Sequence, residues 1–413
     1  MNNSQYFDAL ETRDPQVREG DLFRALPDFV MRARAGAASM GRRLSGIDPA
    51  GITDRSVLAG VPVLRKSELL EQQKTERPFG GFAAVDGADL MRVFSSPGPI
   101  YEPEARRSDY WRMARALHAA GFRPGNLVYN TFSYHFTPAG AMLESGAFAI
   151  GCAVFPAGVG QTELQAQTIA DLKPAGYVGT PSFLRIIAEK ARELELDVSS
   201  ISKALVSGEA LPPSLRSAIN DLGISVRQCY ATADVGLIAY ESEAQEGMIV
   251  DEGVILEIVR PGTGEPVAEG EVGEVVVTAF NDAYPLIRFG TGDLSAIMPG
   301  QSPCGRTNIR IKGWMGRADQ TAKVKGMFVH PSQVNEVTKR HPEIARARLV
   351  VQNDGRNDVM TLQCESSVQS VELAEAISES IRDVCKLRGT AEFAATGSLP
   401  NDGKVIDDQR TYE

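Results

Sequence analysis

A single carboxylate, Asp293, closes the glycine-rich run Arg288-Phe289-Gly290-Thr291-Gly292-Asp293. A carboxylate can accept from two neighbouring hydroxyls at once, which suits it to gripping a vicinal diol such as that of a ribose. Gly290, Gly292 and Gly316 lack the side chains that would block close backbone approach or a positive φ. A second tight segment follows, with Arg317 and Asp319, then Lys323, Lys325 and Gly326. The alternative is that these Gly/Asp turns only connect strands.

Taken together, the two segments resemble the ribose-binding and hinge motifs of the adenylate-forming (acyl-CoA synthetase-like) superfamily. The chain is most similar to its phenylacetate–CoA ligase branch. The ribose motif there resembles R-Y-R-T-R-D, matched by Arg288, Thr291 and Asp293. The hinge resembles G-R-S-D-D followed by G-x-x-x-F/H-P, matched by Gly316, Arg317 and Asp319, then Gly326, Val329 and Pro331. The run Gly158–Glu189 resembles the branch's G-G-Q-T-E and T-P-S-Y segments, with Ser182 as a candidate helix cap.

The resemblance assigns roles residue by residue. Gly208, Glu209 and Ala210 match a loop that borders adenine, and follow an apolar strand at 203–207. Tyr230-Ala231-Thr232-Ala233-Asp234 matches Y-G-x-S/T-E, in which the Tyr stacks on adenine and the Glu helps hold Mg²⁺. Here Tyr230 is retained, Thr232 is displaced by one, and Asp234 replaces the Glu with one methylene less. Tyr134, His135, Phe136, Ala139 and Gly140 resemble the segment leading into the acyl pocket. Lys404 matches the C-terminal catalytic lysine, whose charge would stabilise the adenylation transition state. Rotation about Asp319, beside Arg317, would swing a C-terminal lid between two half-reactions.

One segment departs from the pattern. The family's phosphate loop resembles S-S-G-T-T-G-K-P; here Ser95 and Ser96 are followed by Pro97-Gly98-Pro99-Ile100-Tyr101-Glu102-Pro103. Pro97 and Pro99 remove N–H donors, and Glu102 adds expected repulsion toward phosphate. The segment therefore cannot wrap pyrophosphate as the family loop does.

These residues must be held by a scaffold. Candidate helices at 107–120, 137–148, 163–173 and 182–195 alternate with short apolar strands at 126–132, 151–155, 203–207 and 225–230. Leu184, Ile187, Ala191 and Leu194 fall at helical spacing on one face. Such alternation predicts a largely parallel α/β sheet. Strands at 254–260 and 274–280 mark a β-rich part. Past Gly316 the pattern is α+β, with a helix opening at Pro331 and an amphipathic one at 369–386. The expected architecture is an α/β adenylation domain, residues 1–317, with a small mobile α+β lid, residues 318–413.

Composition sets the outer limits. With 413 residues the chain is long for one core. A net charge of −10 argues against non-specific nucleic-acid binding. No signal peptide or membrane span is visible, and Cys152, Cys229, Cys304, Cys364 and Cys385 show neither metal spacing nor a disulfide framework. The expectation is a cytoplasmic, AMP-forming aryl- or acyl-CoA ligase using ATP, Mg²⁺ and coenzyme A on a small-molecule carboxylate. The resemblance adds a homodimer, with no nucleic-acid or membrane partner. Two other readings stay open: transfer of the acyl or AMP group to another nucleophile (an amine, a carrier-protein thiol, a deazaflavin cofactor), and a non-catalytic nucleotide or acyl-CoA binder.

Overall fold

The computed structural model describes residues 5–96, 99–260, 263–315, 317–318, 322–325, 327–329, 331–353, 358–400 and 404–410. The chain divides into two compact units, Met1–Met315 and Gly316–Glu413.

The first unit is built on a nine-stranded sheet. Its parallel half runs in the order Ala153–Pro156, Leu127–Asn130, Gly176–Gly179, Lys203–Val206, Ser225–Thr232. Four further strands, Gly236–Tyr240, Met248–Val250, Arg310–Ile311 and Ile297–Met298, continue it in antiparallel pairs. The crossover helices are Ala139–Ala149, Thr162–Leu172, Pro181–Glu193 and Pro213–Asn220, with Met113–Ala119 preceding the first strand. Parallel strands need such crossovers, and both faces are then buried.

Helix Pro181–Glu193 shows how the pattern becomes packing. Leu184, Ile187 and Ala191 are each 1% exposed, as their spacing requires, whereas Leu194 lies past the helix end and is 39% exposed. The helix opens on Thr180 with Pro181 at its first position, so Ser182 is inside the helix and does not cap it.

A second, four-stranded sheet of the same unit has the order Leu64–Arg65, Phe289–Ser295, Gly273–Ala279, Val254–Val259. Its apolar residues, among them Ile255, Val275, Val277 and Phe289, share one core with the N-terminal helix Pro15–Gly36 through Leu26, Phe29 and Val30. Leu90–Ser96 and Ile100–Ala105 form a separate antiparallel hairpin.

The second unit carries a four-stranded sheet in the order Thr390–Ala394, Asp358–Ser366, Ile344–Asn353, Ile406–Asp408. Helices Pro331–Lys339 and Val371–Cys385 pack on it. In the latter, Ile377 and Ile381 are buried while Val371 is 71% exposed, so the apolar stripe begins one turn later than its sequence suggests. The unit mixes α and β, as its sequence pattern predicts. Among the described residues no helix is long and apolar enough to cross a membrane.

Candidate active site

Asp293 does not sit in a turn. It lies within the strand Phe289–Ser295, and the ladder to the neighbouring strand pairs Gly290 with Val276 but Leu294 with Glu274. Thr291, Gly292 and Asp293 therefore face the single residue Val275, forming a bulge. Gly292 takes φ +75° there, a conformation that favours glycine. Thr291 Oγ1 pins the bulge by donating to the Val275 carbonyl at 3.0 Å, and accepts from the Asp293 amide at 3.1 Å. Gly290 lies hard against Glu274, whose Oε1 would be 2.7 Å from an added Cβ.

The bulge aims Asp293 at a tyrosine and a tryptophan. Tyr230 Oη donates to Oδ2 at 2.8 Å, and Trp314 Nε1 donates to Oδ1 at 3.1 Å. Tyr230 Oη also lies 3.1 Å from Thr291 Oγ1. Tyr230 is at the end of strand Ser225–Thr232, so two sheets converge on one carboxylate. Nothing in the sequence singled out Trp314.

Arg288, expected beside the nucleotide, is placed differently. Its side chain is 1% exposed. Nε and Nη2 donate to Glu257 at 2.9 Å each; the remaining bonds go to the carbonyls of Ala59, Val61 and Gly264. A guanidinium has five N–H donors, and all five are committed to the protein. Arg288 is a structural post behind the Asp293 strand, with no donor left for a ligand.

The loop after strand Lys203–Val206 carries Gly208 at φ +82°. Glu209 Oε1 accepts from the Ser182 amide at 2.6 Å, so this carboxylate caps the helix Pro181–Glu193 from another loop. Ala210 follows it. Thr232 Oγ1 accepts from the Val235 amide at 3.3 Å and shapes the turn that carries Asp234.

The rewritten phosphate segment is the hairpin Leu90–Ala105; Pro97 and Gly98 lie outside the described residues. Glu102, expected to repel phosphate, is turned into the protein. It is fully buried and accepts from the Ser96 hydroxyl at 2.5 Å and from the Ser96 amide at 3.2 Å. Burial pushes its pKa up to about 8, with the Asp234 carboxylate adding to the rise and Ser96 opposing it. At neutral pH Glu102 is mostly uncharged, so the expected repulsion is largely absent. Ser96 is correspondingly engaged inward, not toward a ligand. Ser95 donates its amide to the Phe136 carbonyl at 2.8 Å, joining the hairpin to the acyl segment.

In that segment, Tyr134 Oη donates to Glu144 at 3.0 Å and accepts from Asn130 Nδ2 at 2.8 Å. Gly140 allows the close approach of this ring, since an added Cβ would meet the Ser133 carbonyl at 2.7 Å and the Tyr134 ring at 2.9 Å. His135 binds Ser133 Oγ through its amide at 3.1 Å, and Ala139 opens the next helix. Phe136 is 81% exposed with φ +61°, a strained position for an aromatic residue.

Asp234 is 2% exposed. Its Oδ2 accepts from Lys66 Nζ at 2.9 Å, while Oδ1 is buried with no partner. Mg²⁺ demands a near-octahedral shell of oxygens. Here an ammonium already occupies one face of the carboxylate. Among the described residues no group of three or more His, Cys, Asp or Glu side chains could hold a metal. These residues do not fit a magnesium ion held by Asp234.

In the second unit, Lys404 is exposed and lies 3.3 Å from Asp407 Oδ1. Arg317 is half-buried; Asp319 lies outside the described residues.

Residues 108–281 match the family model described as AMP-binding enzyme. A phenylacetate–coenzyme A ligase of Thermus thermophilus is 32% identical over 339 residues, covering 78% of this chain and 75% of that protein. One from Aromatoleum evansii is 30% identical over 336 residues, covering 78% of this chain and 74% of that protein. Among solved structures, a 2-hydroxyisobutyryl-CoA ligase in complex with 2-HIB-AMP and CoA superposes with a TM-score of 0.81 at 24% identity, covering 100% of this chain and 94% of that one. At that identity the likeness speaks for the fold.

Proposed function

The chain belongs to the phenylacetate–coenzyme A ligase family, and on that premise we propose that its acyl substrate is an aromatic or related carboxylate activated around Asp293. It is an AMP-forming acyl-CoA ligase. In the first half-reaction a carboxylate oxygen of the substrate attacks the α-phosphorus of ATP, and pyrophosphate leaves. In the second the thiol of coenzyme A attacks the acyl carbon, and AMP leaves.

The observation that carries the assignment of residues is the convergence on Asp293. Tyr230 and Trp314 hold its two oxygens from the protein side, which fixes the direction in which the carboxylate meets a ribose diol. The Tyr230 ring supplies an apolar face beside it for adenine, with Gly208, Glu209 and Ala210 along its edge. Tyr134, His135, Phe136, Ala139 and Gly140 border the acyl group. Lys404 brings its cation to the reacting carboxylate and α-phosphate, and Asp319 with Arg317 is the hinge between residues 1–317 and the lid 318–413. Ser95, Ser96, Thr232 and Arg288 act in this reading by shaping the loops, not by touching the nucleotide.

ATP and coenzyme A are the co-substrates, and magnesium enters as the companion of the ATP phosphates. The proposal extends to a homodimer in the cytoplasm, with no nucleic-acid or membrane partner. The acidic net charge and five unpaired, buried cysteines accord with that setting.

AMP binding by calorimetry tests the assignment. Asp293→Asn loses charge-assisted bonds to the ribose, so affinity should fall by roughly ten- to a hundredfold. Unchanged affinity would remove Asp293 from the site.

A further inference from the structure

Lys66 opens the helix Lys66–Thr75, a position where the helix dipole disfavours a cation. It comes directly off the strand Leu64–Arg65, which pairs in parallel with Phe289 and Gly290 at the start of the Asp293 strand. That register delivers its ammonium to Asp234 at 2.9 Å; the Asp234 side chain is 1% exposed and that of Lys66 35%. The carboxylate expected to hold a metal therefore already carries a cation, supplied by the chain itself.

We propose that Lys66 is the resident cation of this site: its ammonium neutralises Asp234 and keeps a protein-held divalent ion off that carboxylate. A divalent ion on Oδ1 of the same group would sit about 5 Å from the ammonium. At an effective dielectric near ~20, that repulsion weakens metal binding by more than roughly tenfold. The ion pair also keeps the end of strand Ser225–Thr232 from presenting a bare negative charge to an anionic nucleotide. The hairpin segment Ser95–Pro103 contains no lysine to do this instead. This inference rests on reading this end of the sheet as the nucleotide site.

The test is Mn²⁺ binding by electron paramagnetic resonance, on full-length protein without nucleotide, carboxylate or coenzyme A. Wild-type protein should show no bound Mn²⁺ at millimolar concentration. Lys66→Met should gain a site at least roughly tenfold tighter, and the double variant with Asp234→Asn should lose it. Bound Mn²⁺ in wild type that disappears in Asp234→Asn overturns the proposal. So does a folded Lys66→Met protein that gains nothing. If circular dichroism shows that Lys66→Met does not fold, Lys66→Ala carries the same comparison. No turnover enters the measurement, so a failed ligase assay and a failed metal result are separate outcomes.

Discussion

Tyr230 Oη donates to Asp293 Oδ2 across 2.8 Å, tying strand Ser225–Thr232 of the nine-stranded sheet to the bulge of the four-stranded one. Both side chains are at most 8% exposed, so the bond is made away from water. Tyr230→Phe keeps the ring and removes the donor. Loss of a hydrogen bond to a charged acceptor should cost about 1.5–3 kcal/mol of stability. Urea denaturation reads that cost, and calorimetry should show weaker AMP binding because the Asp293 carboxylate then lacks the donor that orients its Oδ2. A variant with wild-type stability and affinity would show that the bond orients nothing.

Arg288 makes the opposite prediction. Arg288→Met leaves Glu257 buried without its partner, which should cost about 3–5 kcal/mol. Where enough folded protein survives, its affinity for AMP per folded molecule should match wild type. A stable Arg288→Met protein with impaired AMP binding would return this residue to the nucleotide site.

Glu102 should make stability depend on pH. Its pKa rises from the ordinary 4.5 to about 8 in the folded chain, so between these values the folded state binds the extra proton. Stability from this group is therefore full below about 4.5 and declines as pH rises toward about 8. Glu102→Gln keeps an acceptor for the Ser96 hydroxyl and abolishes the titration. Thermal denaturation across this range should show a flatter profile for the variant, with the largest gain over wild type at alkaline pH. Parallel profiles would mean that Glu102 is ionised in the fold.

Lys404 is exposed, with 53% of its side chain accessible. Lys404→Ala should change stability by no more than about 0.5 kcal/mol. Adenylation should nevertheless slow by roughly a hundred- to a thousandfold, the scale for removing one group that stabilises developing charge. Single-turnover formation of acyl-adenylate separates the two effects; an unaltered rate would leave Lys404 as a surface residue.

Much of the architecture is legible in the sequence because it is local. Leu184, Ile187 and Ala191 announce their helix by spacing, and the strands at 203–206 and 254–259 by apolar runs between breakers. The site is legible as residue types in a familiar order. Its geometry is not, because it is set by partners far apart in the chain. The bulge at Thr291–Asp293 exists only relative to Val275 on another strand. Lys66 meets Asp234 across 168 positions, and Glu209 caps a helix 27 residues away. By its place in the rewritten phosphate segment Glu102 reads as an acid that repels phosphate; only the fold of the hairpin turns it inward. Arg288 shows the converse, since its place in a binding motif says nothing about where its five donors point.

The most direct test of the account is pyrophosphate release from ATP across a panel of aromatic and short-chain carboxylates, with and without coenzyme A. The account predicts release that requires a carboxylate, proceeds to acyl-adenylate without coenzyme A, and yields acyl-CoA and AMP when it is added. Saturable nucleotide binding with no pyrophosphate released for any carboxylate would contradict it.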